Sequence, residues 1–389
     1  MMDWKSLAGG AGLVDLVFLV FLVAIAVHYT QGSRSVRDAY NPNVTATRIL
    51  YDGWPLIYAP LGSAAWHLRT LLALALKGIE PVLALPTDPQ TAAEGLKTIF
   101  HHTHDRSEWE QRILPRLAAE QRAAIIHTTG LGASLFGKVP TLVSPAELDT
   151  GAPGSRWRSA LARGGLARAH ILWPDDLPDA RMPGTVHRLP PITHPEFRAG
   201  GISAKSQMAL PEEFVLVHGL ADEASMLALL ESWTWAAASI GEFYPLIIVG
   251  LNEDAARLVR AQLPKFHVEE SVRVLADVQP QDLAAIYKAC TALVHLGLPA
   301  PWGNPLRAAL AGGKAVVAQQ EPLTEAIVGG AAYLAPAQDL RAFGAAMITE
   351  VVDEKARERL EDAARQRAAH WKVEAFEAEL VEVYRGMVK

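Results

Sequence analysis

Short, almost unbroken apolar runs recur along the chain and predict strands. The first half offers Arg48–Tyr51, Pro81–Leu85, Ala124–His127, Thr141–Val143 and His170–Trp173. The second half offers Phe214–Val217, Leu246–Val249, Val272–Leu275, Ala292–His295 and Ala315–Ala318. Runs apolar at successive positions, rather than alternate ones, suit parallel strands covered by helices on both faces. Helical patterns lie between them: Ser63 to Leu76, closed by Gly78, then Ala224 to Ala238, Pro280 to Lys288 and Leu306 to Ala311. Repeated strand–helix units predict doubly wound α/β sheets. The pattern pauses over a Gly/Ser/Ala/Pro-rich stretch at 195–213. Two Rossmann-like domains are therefore expected, at 46–198 and 212–350, joined by a linker at 199–211. Residues 351–389 read as closing helices.

The N-terminus has a different pattern. From Leu13 to Tyr29 only Asp15 and His28 interrupt an apolar run. Counted from Ala8, a helix at 1.5 Å per residue reaches about 33 Å, enough for a bilayer core of about 30 Å. Ala24-Ile25-Ala26 resembles a signal-peptide cleavage site, which would leave Val27 as the first residue. The leading segment is weakly basic, with Lys5 offset by Asp3, and Asp15 breaks the apolar stretch, so an uncleaved transmembrane anchor over 8–29 is expected. Arg34 and Arg37 follow it directly while Lys5 stands nearly alone before it. The positive-inside rule then puts the folded part on the cytoplasmic side. Residues 30–45, with Gly32, Ser33, Ser35 and Pro42, read as a polar tether.

Composition narrows the class. Half of the 389 residues are apolar and a fifth are charged, which excludes disordered and collagenous chains. The 36 Lys plus Arg against 42 Asp plus Glu, without a basic run, argue against nucleic acid as a partner. A single cysteine, Cys290, allows no intrachain disulfide and no zinc cluster, and reads as a small buried residue.

The order and local wording resemble the family-4 (group 1) glycosyltransferases, over about residues 46–389. Ile49-Leu50-Tyr51-Asp52-Gly53-Trp54-Pro55-Leu56 is similar to the family's I-D-x-R-P-L opening. Leu189-Pro190-Pro191 with Pro195 and Phe197 is similar to its V-P-P-G-V-D-P-x-F segment. Val272 to Leu296 follows its V-R-F-L-G…D-L-A-A-L-Y pattern. Gly303-Asn304-Pro305-Leu306 with Ala311 to Ala318 tracks G-x-P-x-x-E-A-M-A-x-G-x-P-V-V-A, and Leu323-Thr324-Glu325 tracks L-P-E. Trp371 to Tyr384 resembles the last helix, which in this family crosses back to the first domain. The resemblance implies a GT-B fold, two Rossmann-like domains facing across a cleft, with a nucleotide sugar bound at the carboxyl ends of the second domain's strands.

The resemblance also exposes losses. A diphosphate needs cationic partners and N–H donors. The family's Arg and Lys in G-x-x-x-x-R-K-N fall on Glu223 and Ala224 here, and an acid beside a diphosphate repels it. Its Glu-x7-Glu pair falls on Ala300 and Ala308. Its first-domain His-Asp falls on Ala146 and Glu147. Its T-G-x-G-R loop falls on Leu61-Gly62-Ser63-Ala64-Ala65, keeping one glycine and losing the Arg. The cleft positions that remain are Gly62, His218, Gly219, Trp302, Gly303, Asn304 and Glu325; for Trp302 core packing competes with a cleft-lining role, and Glu325 could simply cap the helix it begins.

Other candidates carry less. His101-His102-Thr103-His104 could suggest a metal, but adjacent histidines on a helix point to different faces and no carboxylate is suitably spaced, so a solvated helix end is expected. Trp233 and Trp235 read as packing residues. Lys314 follows Gly312-Gly313 without the rest of a phosphate loop. No catalytic residue, metal or cofactor is assigned; a nucleotide sugar enters only as a donor substrate if the protein is active. The expectation is a membrane-anchored, glycosyltransferase-like protein with impaired or lost catalysis, acting as a binding or scaffold subunit of a membrane assembly. The alternative is an active enzyme moving a sugar from a nucleotide donor to a lipid-linked or cell-envelope acceptor.

Overall fold

The computed structural model describes residues 46–88, 96–146, 163–179, 182–198, 209–220, 222–276, 278–336 and 338–388. The expected anchor and tether lie outside these residues; within them no helix is long and apolar enough to cross a membrane.

The described residues form two parallel sheets. The first has the order β3-β2-β1-β4-β5-β6-β7. Its strands are β1 (Thr47–Asp52), β2 (Ile79–Leu85), β3 (Lys97–Phe100), β4 (Ile125–Thr128), β5 (Thr141–Val143), β6 (His170–Pro174) and β7 (Thr185–Leu189). The second has the order β10-β9-β8-β11-β12-β13. Its strands are β8 (Val215–His218), β9 (Leu246–Val249), β10 (Val272–Val274), β11 (Ala292–His295), β12 (Ala315–Gln319) and β13 (Tyr333–Ala335). In each sheet the first strand in sequence is central and the order reverses beside it, as in doubly wound sheets.

The apolar runs become strands because both faces are covered. Side chains alternate across a strand, so Ile49 and Tyr51 enter one buried cluster while Leu50 enters another. Likewise Leu216 and Leu293 face one way, and Val215, Val217 and Val294 the other. The helix expected over Ser63 to Leu76 ends at Leu72. Gly78 does not cap it. Gly78 instead sits at φ +76° just before β2, where its carbonyl accepts from the Thr47 amide at 2.8 Å.

The last helix, Val373–Val388, packs on the first sheet. Phe376, Leu380 and Tyr384 share a buried cluster with Ile49, Tyr51, Leu142 and Leu172. A buried polar chain fixes its register. Tyr51 OH lies 2.9 Å from Tyr384 OH, and Tyr384 OH lies 2.6 Å from His127 Nδ1. The assignment that satisfies these groups has Tyr51 donating to Tyr384, Tyr384 to His127, and His127 Nε2–H to Ser144. Burial pulls the His127 imidazole down to about 3, so it is neutral.

Cys290 is buried, and burial pushes its thiol up to about 12, in keeping with an inert packing residue. Trp233 is buried and donates to Ser271 Oγ at 3.0 Å, whereas Trp235 is half exposed beneath the Arg341 guanidinium. The 101–104 histidines lie in an irregular segment ahead of the Asp105-capped helix rather than on a helix end. Lys314 donates to the Cys290 carbonyl at 2.8 Å.

Candidate functional site

The carboxyl end of β8 meets the first domain through its last side chain. His218 closes β8. Its Nε2–H donates to the Leu61 carbonyl at 2.9 Å, just before Gly62. A carbonyl can only accept, so the neutral ring presents Nδ1 as an acceptor to Tyr287 OH at 2.7 Å. Burial holds the His218 imidazole down to about 4, and does the same to His295 at the end of β11. Gly62 itself caps the Ser63–Leu72 helix from extended backbone.

The loop after β11 presses on that same helix. Gly303 has φ +63°, and a Cβ built there would collide with the Ser63 carbonyl and lie 3.0 Å from the His67 amide. Only glycine allows this approach. Trp302 beside it is wholly buried: Nε1 donates to the Leu172 carbonyl at 3.1 Å, and the ring stacks on His67 with centroids 4.9 Å apart. Asn304 caps the Pro305–Ala311 helix, accepting from the Arg307 amide at 2.9 Å and donating to the Ala300 carbonyl at 2.6 Å.

Arg307 is a buried cation at this junction. Its guanidinium is 1% exposed and grips Asp176, which lies beyond β6 of the first sheet, through two bonds of 2.9 and 2.7 Å. Arg367 reaches the same carboxylate at 3.2 Å, and the Trp371 ring lies 5.2 Å from the Arg307 guanidinium carbon. Trp66 and Phe197 meet edge to face at 5.0 Å and continue the seam. What remains between Trp66, Phe197, His218, Tyr287, Arg307 and Ala308 is a cavity of about 10 Å³. That is room for roughly one water, whereas clefts that take drug-sized ligands measure roughly 300–1,000 Å³.

Of the residues singled out by sequence, His218, Gly303 and Asn304 line this remnant, and Gly62 follows the carbonyl that His218 holds. Trp302 packs in the core. Gly219, at φ +71°, faces open space. Glu325 is exposed, accepts from Gln320 Nε2 at 3.0 Å, and is not among the lining residues. At the positions of loss, Ala308 lines the remnant, Ala300 is half-buried, and Glu223 is exposed at a helix start. The sequence reading missed Asp176, Tyr287 and Arg307; Pro174-Asp175-Asp176 signals only a turn. Among the described residues no three His, Cys, Asp or Glu side chains gather as a metal site.

Residues 212–367 match the family model described as glycosyl transferases group 1. No curated protein sequence matches the chain. Solved structures share the whole fold. Sucrose-phosphate synthase (tll1590) from Thermosynechococcus elongatus is 17% identical with a TM-score of 0.64, over 88% of this chain and 99% of its own. WaaG, a glycosyltransferase involved in lipopolysaccharide biosynthesis, is 14% identical with a TM-score of 0.65, over 87% and 100%. Anabaena Alr3699/HepE, solved in complex with UDP-glucose, is 13% identical with a TM-score of 0.64, over 87% and 99%. The architecture is thus GT-B, two parallel-sheet α/β domains around one junction.

Proposed function

We propose that this chain is a glycosyltransferase-like protein whose donor cleft is filled from within, and that it serves as a binding or scaffold subunit of a membrane assembly. The anchor expected over residues 8–29 would hold the folded part at the cytoplasmic face. One observation carries the proposal: His218, at the carboxyl end of β8, is bonded to the Leu61 carbonyl of the first domain, and the cavity beside that bond measures about 10 Å³. The chemistry agrees. Glu223 and Ala224 stand where the family places cations, and Ala300 and Ala308 where it places the two carboxylates that hold sugar and ribose.

The second reading, an active transferase using a nucleotide sugar, draws support from Arg307, a guanidinium at the junction that could meet a diphosphate if Asp176 released it. Calorimetric titration of the full chain in detergent with UDP, GDP, ADP and UDP-glucose separates the two. The filled-cleft reading expects no saturable binding at micromolar ligand. Micromolar binding of any one of them overturns it in favour of the active enzyme.

A further inference from the structure

Two guanidiniums of the second domain share one carboxylate of the first. Arg307 Nη1 and Arg367 Nη2 both donate to Asp176 Oδ2, at 2.9 and 3.2 Å, and Arg307 Nη2 donates to Oδ1 at 2.7 Å. Each cation is also held from its own side. Arg367 donates to the carbonyls of Ala326 at 2.6 Å and Ile327 at 3.1 Å. Arg307 sits against the Trp371 ring, and its Nε has no hydrogen-bond partner among the described residues. Withdrawing the first domain would therefore leave both guanidiniums close to where they are, without their carboxylate.

A bidentate carboxylate presents oxygens much as a phosphate does, and guanidinium forks take either. Stripping the counter-charge from a buried cation is costly. An open arrangement of the domains leaves two adjacent guanidiniums without their carboxylate and so favours an anion in Asp176's place, which links opening to anion binding. Resting on the filled-cleft reading, we infer that Asp176 is an internal stand-in for a ligand: it masks a site, formed by Arg307 and Arg367, for a small phosphate-bearing anion, and the cleft opens only by exchanging the one for the other.

The test uses the full chain in detergent, with inorganic pyrophosphate and UDP as probes. Asp176→Asn keeps the shape and removes the charge. Calorimetry should show pyrophosphate binding the variant at least tenfold more tightly than the wild type, and adding Arg307→Met should erase the gain. A larger gain for UDP than for pyrophosphate extends the site to the nucleoside, and equal gains keep it a phosphate site; both uphold the inference. A folded Asp176→Asn protein with no gain, or a gain that survives Arg307→Met, overturns it. If Asp176→Asn does not fold, the wild type decides. Hydrogen exchange at Asp176, Leu177 and Gly303 should quicken in millimolar pyrophosphate relative to chloride of equal ionic strength, and unchanged exchange overturns the inference. Micromolar UDP binding by the wild type would instead defeat the filled-cleft reading itself.

Discussion

His218 Nε2 lies 2.9 Å from the carbonyl oxygen of Leu61, so the end of the second sheet's first strand is hydrogen-bonded directly to the loop that opens a first-domain helix. Removing the ring leaves the Leu61 carbonyl and Tyr287 OH without their partner. His218→Ala is expected to lower stability by about 1–3 kcal/mol, measured as a shift of the urea midpoint, with faster hydrogen exchange at Gly62 and Ser63.

Acid should weaken the fold through the same ring. Burial lowers its pKa from 6.5 to about 4 in the folded chain. Between those values the unfolded chain binds the proton and the folded one does not. The stabilisation is complete above pH 6.5 and is lost as pH falls toward 4, amounting to about 3 kcal/mol. Urea titrations from pH 4 to 7 should show a rise in stability that is smaller by that order in His218→Gln.

Glu350 works in the opposite direction. It is wholly buried in the Leu340–Val352 helix, and neither carboxylate oxygen has a hydrogen-bond partner among the described residues. Burial raises its pKa from 4.5 to about 7, against a smaller opposing pull from Arg357. Its folded-state preference for the protonated form favours folding below pH 4.5 relative to neutral pH, and this advantage is lost as pH climbs to 7. Glu350→Gln should therefore be more stable than wild type at pH 8 by about 3 kcal/mol, and nearly equal to it at pH 4.5. An unchanged midpoint at pH 8 would contradict the assignment.

Gly303→Ala meets two obstacles at once, a positive φ and the Ser63 carbonyl. The expected cost is about 2–4 kcal/mol, visible as a lower denaturation midpoint. Ala substitution at Gly219 shares the positive φ but faces open space, so it should cost only about 1 kcal/mol.

Tyr384→Phe removes one hydroxyl from the buried chain that joins Tyr51 to His127. A loss of about 1–3 kcal/mol is expected. Limited proteolysis should then cut first within the last helix, whereas wild type resists there.

The central strands were legible because burial on both faces writes itself as continuous apolar runs, as at Leu246–Val249. The edges were not. β3 (Lys97–Phe100) and β7 (Thr185–Leu189) are largely accessible, and their mixed polarity hides them. The Glu253–Phe266 helix was missed because it buries only Ala256, Val259 and Leu263, a narrow stripe on a polar helix. At the junction, His218 could be placed because it ends an apolar run, and Gly303 and Asn304 because they match the G-x-P segment of the family that the chain resembles. The grip of Arg307 on Asp176 could not, since it joins positions 131 apart and neither residue is marked by its neighbours.

The returning last helix has a consequence for how the protein is made. The cluster around Ile49, Tyr51 and Leu142 closes only over Phe376, Leu380 and Tyr384. The first domain is therefore completed only after the second domain and the helices that follow it have been synthesised. Until then part of that sheet's apolar face stays uncovered, and a nascent chain paused before Phe376 should be a ready client for chaperones.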